Sequence, residues 1–272
     1  MTDRTTEEDR HMLETAKEAA RIGGEILKQG FGKLTQSQID LKGMGDYVTD
    51  SDRLSETEIL RHIKKTYPTH ILHAEESGVE CHESPYRWII DPLDGTANYI
   101  QEIPIYGVSI AVKKKTDILL GVVYHVDRDE MFWAVRGEGA CLNGQPIRVS
   151  SREDMAYTML ASGFPWRSKD YMDPYMDCFK ELFLSAAGIR RMGSAAIDLA
   201  YTACGRFDGF WEMKLGPWDI AAGILLVQEA GGVVTDFRGE HEYLVSGNVV
   251  AGNPAIHGIM LEMTRRHLAH IK

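Results

Sequence analysis

What is scarce in this sequence narrows it first. Its 272 residues include four cysteines, Cys81, Cys141, Cys178 and Cys204, widely spaced and without a CxxC pair. Neither a disulfide scaffold nor a zinc or thiol-redox motif is encoded, and the four read as reduced, mostly buried thiols. No apolar run approaches the ~20 residues needed to cross a bilayer. The opening MTDRTTEEDR is charged where a secretory leader carries an apolar core, so a cytoplasmic protein with no membrane partner is expected. Bases are outnumbered, 30 against 40 acids, for a formal net charge of −10. That balance counts against direct nucleic-acid binding or an anionic-membrane surface, because phosphate backbones are held mainly by Lys and Arg. An anionic small substrate would need a local cation. There is also no repeat and no linker rich in Pro, Ser or Gly.

What is present is an ordinary globular composition, 44% hydrophobic and 26% charged, with enough chain for one large core or two modest ones. Thr5 with Glu8 forms a capping box for a helix over 6–29, whose apolar residues from Met12 to Leu27 recur at helical spacing. Gly30 serves as its terminator, and Gly23 and Gly24 within it should let another backbone approach. A second helix is expected over 53–66. From Arg87 the pattern becomes that of short strands, RWIID, YGVSIAVK, ILLGVVY and EMFWAV, with Asn143-Gly144 as a hairpin turn. After residue 150 helices and strands alternate: a strand near 157–162, helices near 170–187 and 195–204, a strand near 207–212, and a helix at 218–230 ending at Gly231-Gly232. Two closely packed subdomains, 1–150 and 151–272, follow from this change of pattern.

The chemistry centres on WIIDPLDGTANY, residues 88–99. Asp91 closes an apolar strand, Pro92 keeps the residue before it extended, and Asp94-Gly95-Thr96 has the composition of a turn entering a helix. Two carboxylates can converge there, while N–H groups at Gly95, Thr96 and Ala97 can hold an anionic oxygen. A plain surface turn uses the same residue types. Asp219 sits in WDIAAGILLV, where a buried acid would need a cation or a partner, although a helix N-cap is an equal reading. Glu75-Glu76 ends a probable strand and reads locally as a solvated acidic turn. DYVTDSD, residues 46–52, opens a helix, for which capping is an adequate explanation.

In this order, HAEES at 73–77, WIIDPLDGTANY at 88–99 and PWDIAAGILLVQEAGG at 217–232 resemble the inositol monophosphatase family. DYVTDSD and GSAAIDLAYTACGRFDGFWE at 193–212 are similar to further family segments. The resemblance runs from about residue 10 to 268. It implies an α+β fold layered as an α-β-α-β-α sandwich, with an N-terminal antiparallel sheet beside long helices and a C-terminal mixed sheet with helices. It implies Mg2+, two to three ions per site, held by Glu75, Asp91, the Leu93 carbonyl, Asp94 and Asp219. It implies hydrolysis by metal-activated water without a phosphoenzyme, in which Glu75 and Thr96 take the proton and Asp52 orients the Thr96 hydroxyl. Asp94, Gly95, Thr96, Gly193, Ser194, Ala195 and Glu212 would contact the substrate. A homodimer and inhibition by lithium follow from the same resemblance.

The substrate alcohol is less constrained. Asn98-Tyr99 after the DGT turn resembles the Asn-Phe of inositol phosphatases more than the Lys-Glu-Phe of 3′-phosphoadenosine 5′-phosphate phosphatases, a resemblance that implies inositol-1-phosphate, and Glu212 can accept hydrogen bonds from vicinal hydroxyls. The loop Lys214-Leu215-Gly216-Pro217 varies among relatives and borders the alcohol. Fructose-1,6-bisphosphate, histidinol phosphate and nucleotides are the alternatives of the same chemistry, with Arg190 and Arg191 as candidates for a second phosphate or as ordinary solvated bases. The alternative of another class is a regulatory interaction protein associated with transcription machinery.

Overall fold

The computed structural model describes residues 6–43, 46–80, 83–165 and 168–271, with the side chain of Asp46 also outside that set. Thr5 and Cys81 lie outside the described residues. Helix Glu7–Gly30 starts from Thr6: its hydroxyl accepts from the Asp9 N–H at 3.1 Å, and Asp9 accepts from the Thr6 N–H at 2.8 Å. The reciprocal capping logic expected of Thr5 and Glu8 thus operates one residue on. Gly30 is the last helical residue and Phe31 follows as the cap. A Cβ at Gly23 would lie 2.6 Å from Ile59 Cδ1, and one at Gly24 2.5 Å from Tyr124 Cε1. The two glycines admit side chains of the next helix and of the sheet, not another backbone.

The second helix, Asp50–Thr66, begins three residues before the expected 53 because Thr49 caps it, accepting from the N–H groups of Ser51 and Asp52. A hairpin of Ile39–Gly43 and Asp46–Thr49 precedes it. An eight-stranded sheet then follows, and its central strands are Tyr86–Asp94, Gly107–Lys114, Asp117–His125 and Glu130–Val135. Asn143 and Gly144, with φ of 48° and 80°, make the turn between Gly139–Leu142 and Gln145–Ile147. This sheet is not wholly antiparallel. Ile71–Ala74 runs parallel to Tyr86–Asp94, because the chain leaves that strand through the short edge strand Gly78–Val79 before it returns.

A five-stranded mixed sheet is built from Gly188–Arg190, Met159–Ser162, Gly209–Glu212, Val249–Gly252 and Val233–Thr235, in that spatial order. Helices Ala195–Ala203 and Pro217–Glu229 lie between the two sheets. Helices Met172–Ser185 and Pro254–Leu268 cover the outer face of the smaller one. The result is five layers, α-β-α-β-α, with three hydrophobic cores between them. Along Tyr86–Asp94 the alternation of side chains serves two of those cores: Trp88 and Ile90 pack under the N-terminal helices, Ile89 in the central core. Each such fully buried Ile contributes about 2 kcal/mol. Cys178 is buried, and Cys141 and Cys204 are half-buried; none of the three is disulfide-bonded. Among the described residues no helix is long and apolar enough to cross a membrane.

Candidate active site

Asp91 follows Ile89 in the alternation and faces the central layer. In a regular strand Asp94, three residues on, would face the other way. Pairing with Gly107–Lys114 shifts instead: Asp91 stands opposite Ser109 and Asp94 opposite Gly107, three steps against two. The extra residue is a bulge that returns Asp94 to the face of Asp91. Asp219 arrives from the central layer. It is the third residue of helix Pro217–Glu229 and not its N-cap, which is Gly216; its carboxylate reaches back to accept the Gly216 N–H at 2.7 Å. Ligand oxygens of Asp91, Asp94 and Asp219 lie within 4.8 Å of one another, on residues only 1%, 9% and 8% exposed. The turn is therefore buried.

Glu75 closes the parallel strand, its N–H donating to the Ile90 carbonyl at 3.1 Å, and lines the same pocket as Asp91, Leu93, Asp94, Gly95, Thr96 and Asp219. It is not a solvated turn residue, since its side chain is 13% exposed. Burial first, then the charge of Asp219, pushes Glu75 up to about 8. Asp94 is raised to about 7 by burial and Asp219, against hydrogen bonds from the Ser194 hydroxyl at 2.6 Å and the Ala196 N–H at 2.7 Å. Burial, followed by Glu75, Asp94 and Asp219, holds Asp91 well above the usual carboxylate range. A cluster of oxygen donors that burial and mutual repulsion drive toward protonation fits a hard divalent cation, which replaces the protons.

Thr96 sits at the rim with its hydroxyl 3.1 Å from Asp52 Oδ1 and 3.0 Å from the Leu93 carbonyl. Asp52 is buried behind it and raised to about 6 by that burial, while Thr49 donates to its other oxygen through N–H and hydroxyl at 2.8 and 2.6 Å. Gly95 has φ of 97°, and a Cβ there would stand 2.9 Å from the Ile105 carbonyl. An adjoining cleft of about 160 Å3 is lined by Asp94, Gly193, Ser194, Ala195 and Glu212, with Lys214 and Leu215 on its wall. Ser194 caps helix Ala195–Ala203, which explains how one residue binds Asp94 and starts a helix. Arg191 lines both hollows. Arg190 belongs to the edge strand, where its guanidinium donates to the Ile189 carbonyl, and among the described residues only Arg191 of the pair lines these hollows.

Several positioning residues escaped the sequence reading. Lys42, on the N-terminal hairpin, lies 3.5 Å from Glu75 and 2.5 Å from Glu76. Buried Glu56 accepts the N–H groups of Glu76 and Ser77, each at 2.9 Å, fixing the turn after Glu75. Asn98 donates to the carbonyls of Ile105 and Met192 and so ties the DGTANY turn to the segment carrying Arg191 and Ser194. The sole sequence hint for Lys42 is a lone base ahead of an acid-rich segment; Glu56 carries none, and Asn98 was read as a substrate marker and not as this tie.

The fold is thus a five-layer α+β sandwich with a pocket of carboxylate oxygens where strand ends meet the central helices. The chain belongs to the inositol monophosphatase family, whose sequence profile matches residues 8–270. It is 46% identical over 259 residues to Nus factor SuhB of Escherichia coli K12, covering 95% of this chain and 97% of that one. The crystal structure of extragenic suppressor protein suhB from Bartonella henselae superposes with a TM-score of 0.92 at 38% identity, covering 95% and 100%. The inositol monophosphatase of Anabaena gives 0.84 at 35% identity, covering 96% and 98%.

Proposed function

We propose that this chain is a Mg2+-dependent phosphatase of small polyol phosphate monoesters, inositol-1-phosphate foremost. The observation that carries the reading is the convergence of Asp91, Asp94 and Asp219 within 4.8 Å in a buried pocket that Glu75 also lines. In this reading those four carboxylates and the Leu93 carbonyl hold two ions, and Glu75 supports a weaker third. Mg2+ bound there supplies Lewis acidity, lowering the pKa of water and stabilising the departing alkoxide. The chain's own residues do the rest. Glu75 and the Thr96 hydroxyl receive the proton of the attacking water, with Asp52 Oδ1 fixing the hydroxyl's direction. Gly95 and Thr96 N–H groups hold phosphate oxygens, while Gly193, Ser194, Ala195 and Glu212 hold the alcohol. A homodimer, lithium inhibition and a cytoplasmic location belong to the same reading.

The test is phosphate release by purified protein with Mg2+ across inositol, sugar and nucleotide phosphates. Turnover of inositol-1-phosphate is expected, and a nucleotide bisphosphate hydrolysed far faster would overturn the substrate assignment. The 46% identity to a Nus factor along 95% of the chain favours a second reading, a transcription-associated regulator. Asp94→Asn separates the two: a cellular phenotype that survives loss of turnover would favour the regulator.

A further inference from the structure

Strand Met159–Ser162 runs parallel to Gly209–Glu212, with Ala161 opposite Phe210 and Ser162 opposite Trp211. One step further, Gly163 stands beside Glu212. Alternation fixes the face: Ala161 and Phe210 belong to the central core, so Gly163 and Glu212, two residues on in each strand, turn toward the same layer, where both line the substrate cleft. On its other flank Glu212 pairs with Val249, which is fully buried. That side is occupied.

On the side of Gly163 the space is taken by Glu212 itself. A Cβ at Gly163 would lie 1.9 Å from Glu212 Oε1, 2.1 Å from its Cδ and 2.3 Å from its Oε2, closer than any side-chain carbon can stand. The carboxylate occupies the place of the side chain that position 163 lacks. Gly163 is not among the glycines with positive φ, so room and not backbone conformation requires glycine there. Its backbone is anchored: the buried Tyr175 hydroxyl donates to the Gly163 carbonyl, and the buried Ser162 hydroxyl donates to the Trp211 carbonyl at 2.8 Å, tying the two strand ends together. A new side chain would therefore displace the carboxylate, at the far end of a flexible side chain, before it displaced the strand.

We propose that Gly163 is a positioning residue for polyol recognition: the space it leaves sets the Glu212 carboxylate at the cleft, where that group selects phosphate esters with vicinal hydroxyls over esters without them. The proposal rests on the phosphatase reading, in which Glu212 receives the alcohol. A carboxylate offers about four acceptor sites, so protein partners of Glu212 and substrate hydroxyls can be served together. The test compares kcat/KM for inositol-1-phosphate and for phenyl phosphate, with Mg2+, in the wild type, Gly163→Ala, Glu212→Ala and the double variant. Gly163→Ala should fold, with a urea midpoint near that of the wild type. Its preference for inositol-1-phosphate should fall about tenfold, chiefly through KM, the scale of one hydrogen bond to a charged group. Once Glu212 is alanine, the change at 163 should lower the preference no further, because the group it displaces is gone. A preference that Gly163→Ala leaves intact, or an equal loss in both backgrounds, overturns the positioning role. So does a Gly163→Ala protein that fails to fold, since the strand and not the carboxylate would then bear the clash. Hydrolysis of neither ester by the wild type would instead overturn the phosphatase reading, and the proposal with it.

Discussion

Asp91 and Asp94 face one buried pocket although they stand three residues apart on a strand, because the pairing of their strand slips by one residue between them. Alternation alone would have placed them on opposite faces. The bulge makes the pair, and the helix start at Pro217 delivers Asp219 to it.

The acids of this pocket make the metal-free protein sensitive to alkali. Glu75, Asp94 and Asp52 are raised to about 8, 7 and 6, above unfolded values near ~4. Their contribution is fully present below those unfolded values and is lost as pH rises through the folded ones. In chelator the melting temperature should therefore fall between pH 6 and 8.5, and Mg2+ should raise it more at the upper end. An Mg2+-induced rise independent of pH would contradict the shared-proton account.

Gly95→Ala tests the turn that joins the two aspartates to Thr96. Its φ of 97° and a Cβ 2.9 Å from the Ile105 carbonyl leave no relaxed conformation for alanine. Urea unfolding should show a loss of about 1–3 kcal/mol, and phosphate release should fall with it. A neutral substitution would mean that the loop adapts freely.

Acid acts on a different part of the molecule. His70 Nδ1 accepts the Trp88 indole N–H at 3.0 Å between the rings of Tyr67 and Tyr86, so it is neutral there, and burial holds its pKa down. Burial lowers His257, beside the Thr235 hydroxyl, to about 4. Groups depressed in the fold contribute stability that is present above ~6.5 and lost as pH falls. With saturating Mg2+ holding the pocket acids ionised, the urea midpoint should drop from pH 7 to 5, and His257→Gln, which cannot charge, should flatten that drop.

The sequence made Glu130–Val135 legible to the residue, and the other central strands and five of the helices to within a few residues, whereas helix Pro254–Leu268 was not read from it. Local chemistry sets these elements: periodicity, Thr caps and the Asn143-Gly144 turn. WIIDPLDGTANY was legible as a strand end bearing acids for the same reason. The bulge was not, because it is a property of the pairing with Gly107–Lys114 and not of either strand. Nor were Lys42 against Glu75, Glu56 beneath Glu76, or the separation of Arg190 from Arg191. Each depends on where a distant segment packs, and no local pattern encodes that.

The most direct measurement is phosphate release from inositol-1-phosphate by purified protein, with Mg2+, with chelator, and with Asp94→Asn in Mg2+. Release that requires Mg2+ and falls by about 100-fold or more in the variant is predicted, the scale expected when a metal-site group is lost. Release that persists in chelator, or that Asp94→Asn leaves intact, would contradict a metal-dependent phosphatase built on Asp91, Asp94 and Asp219.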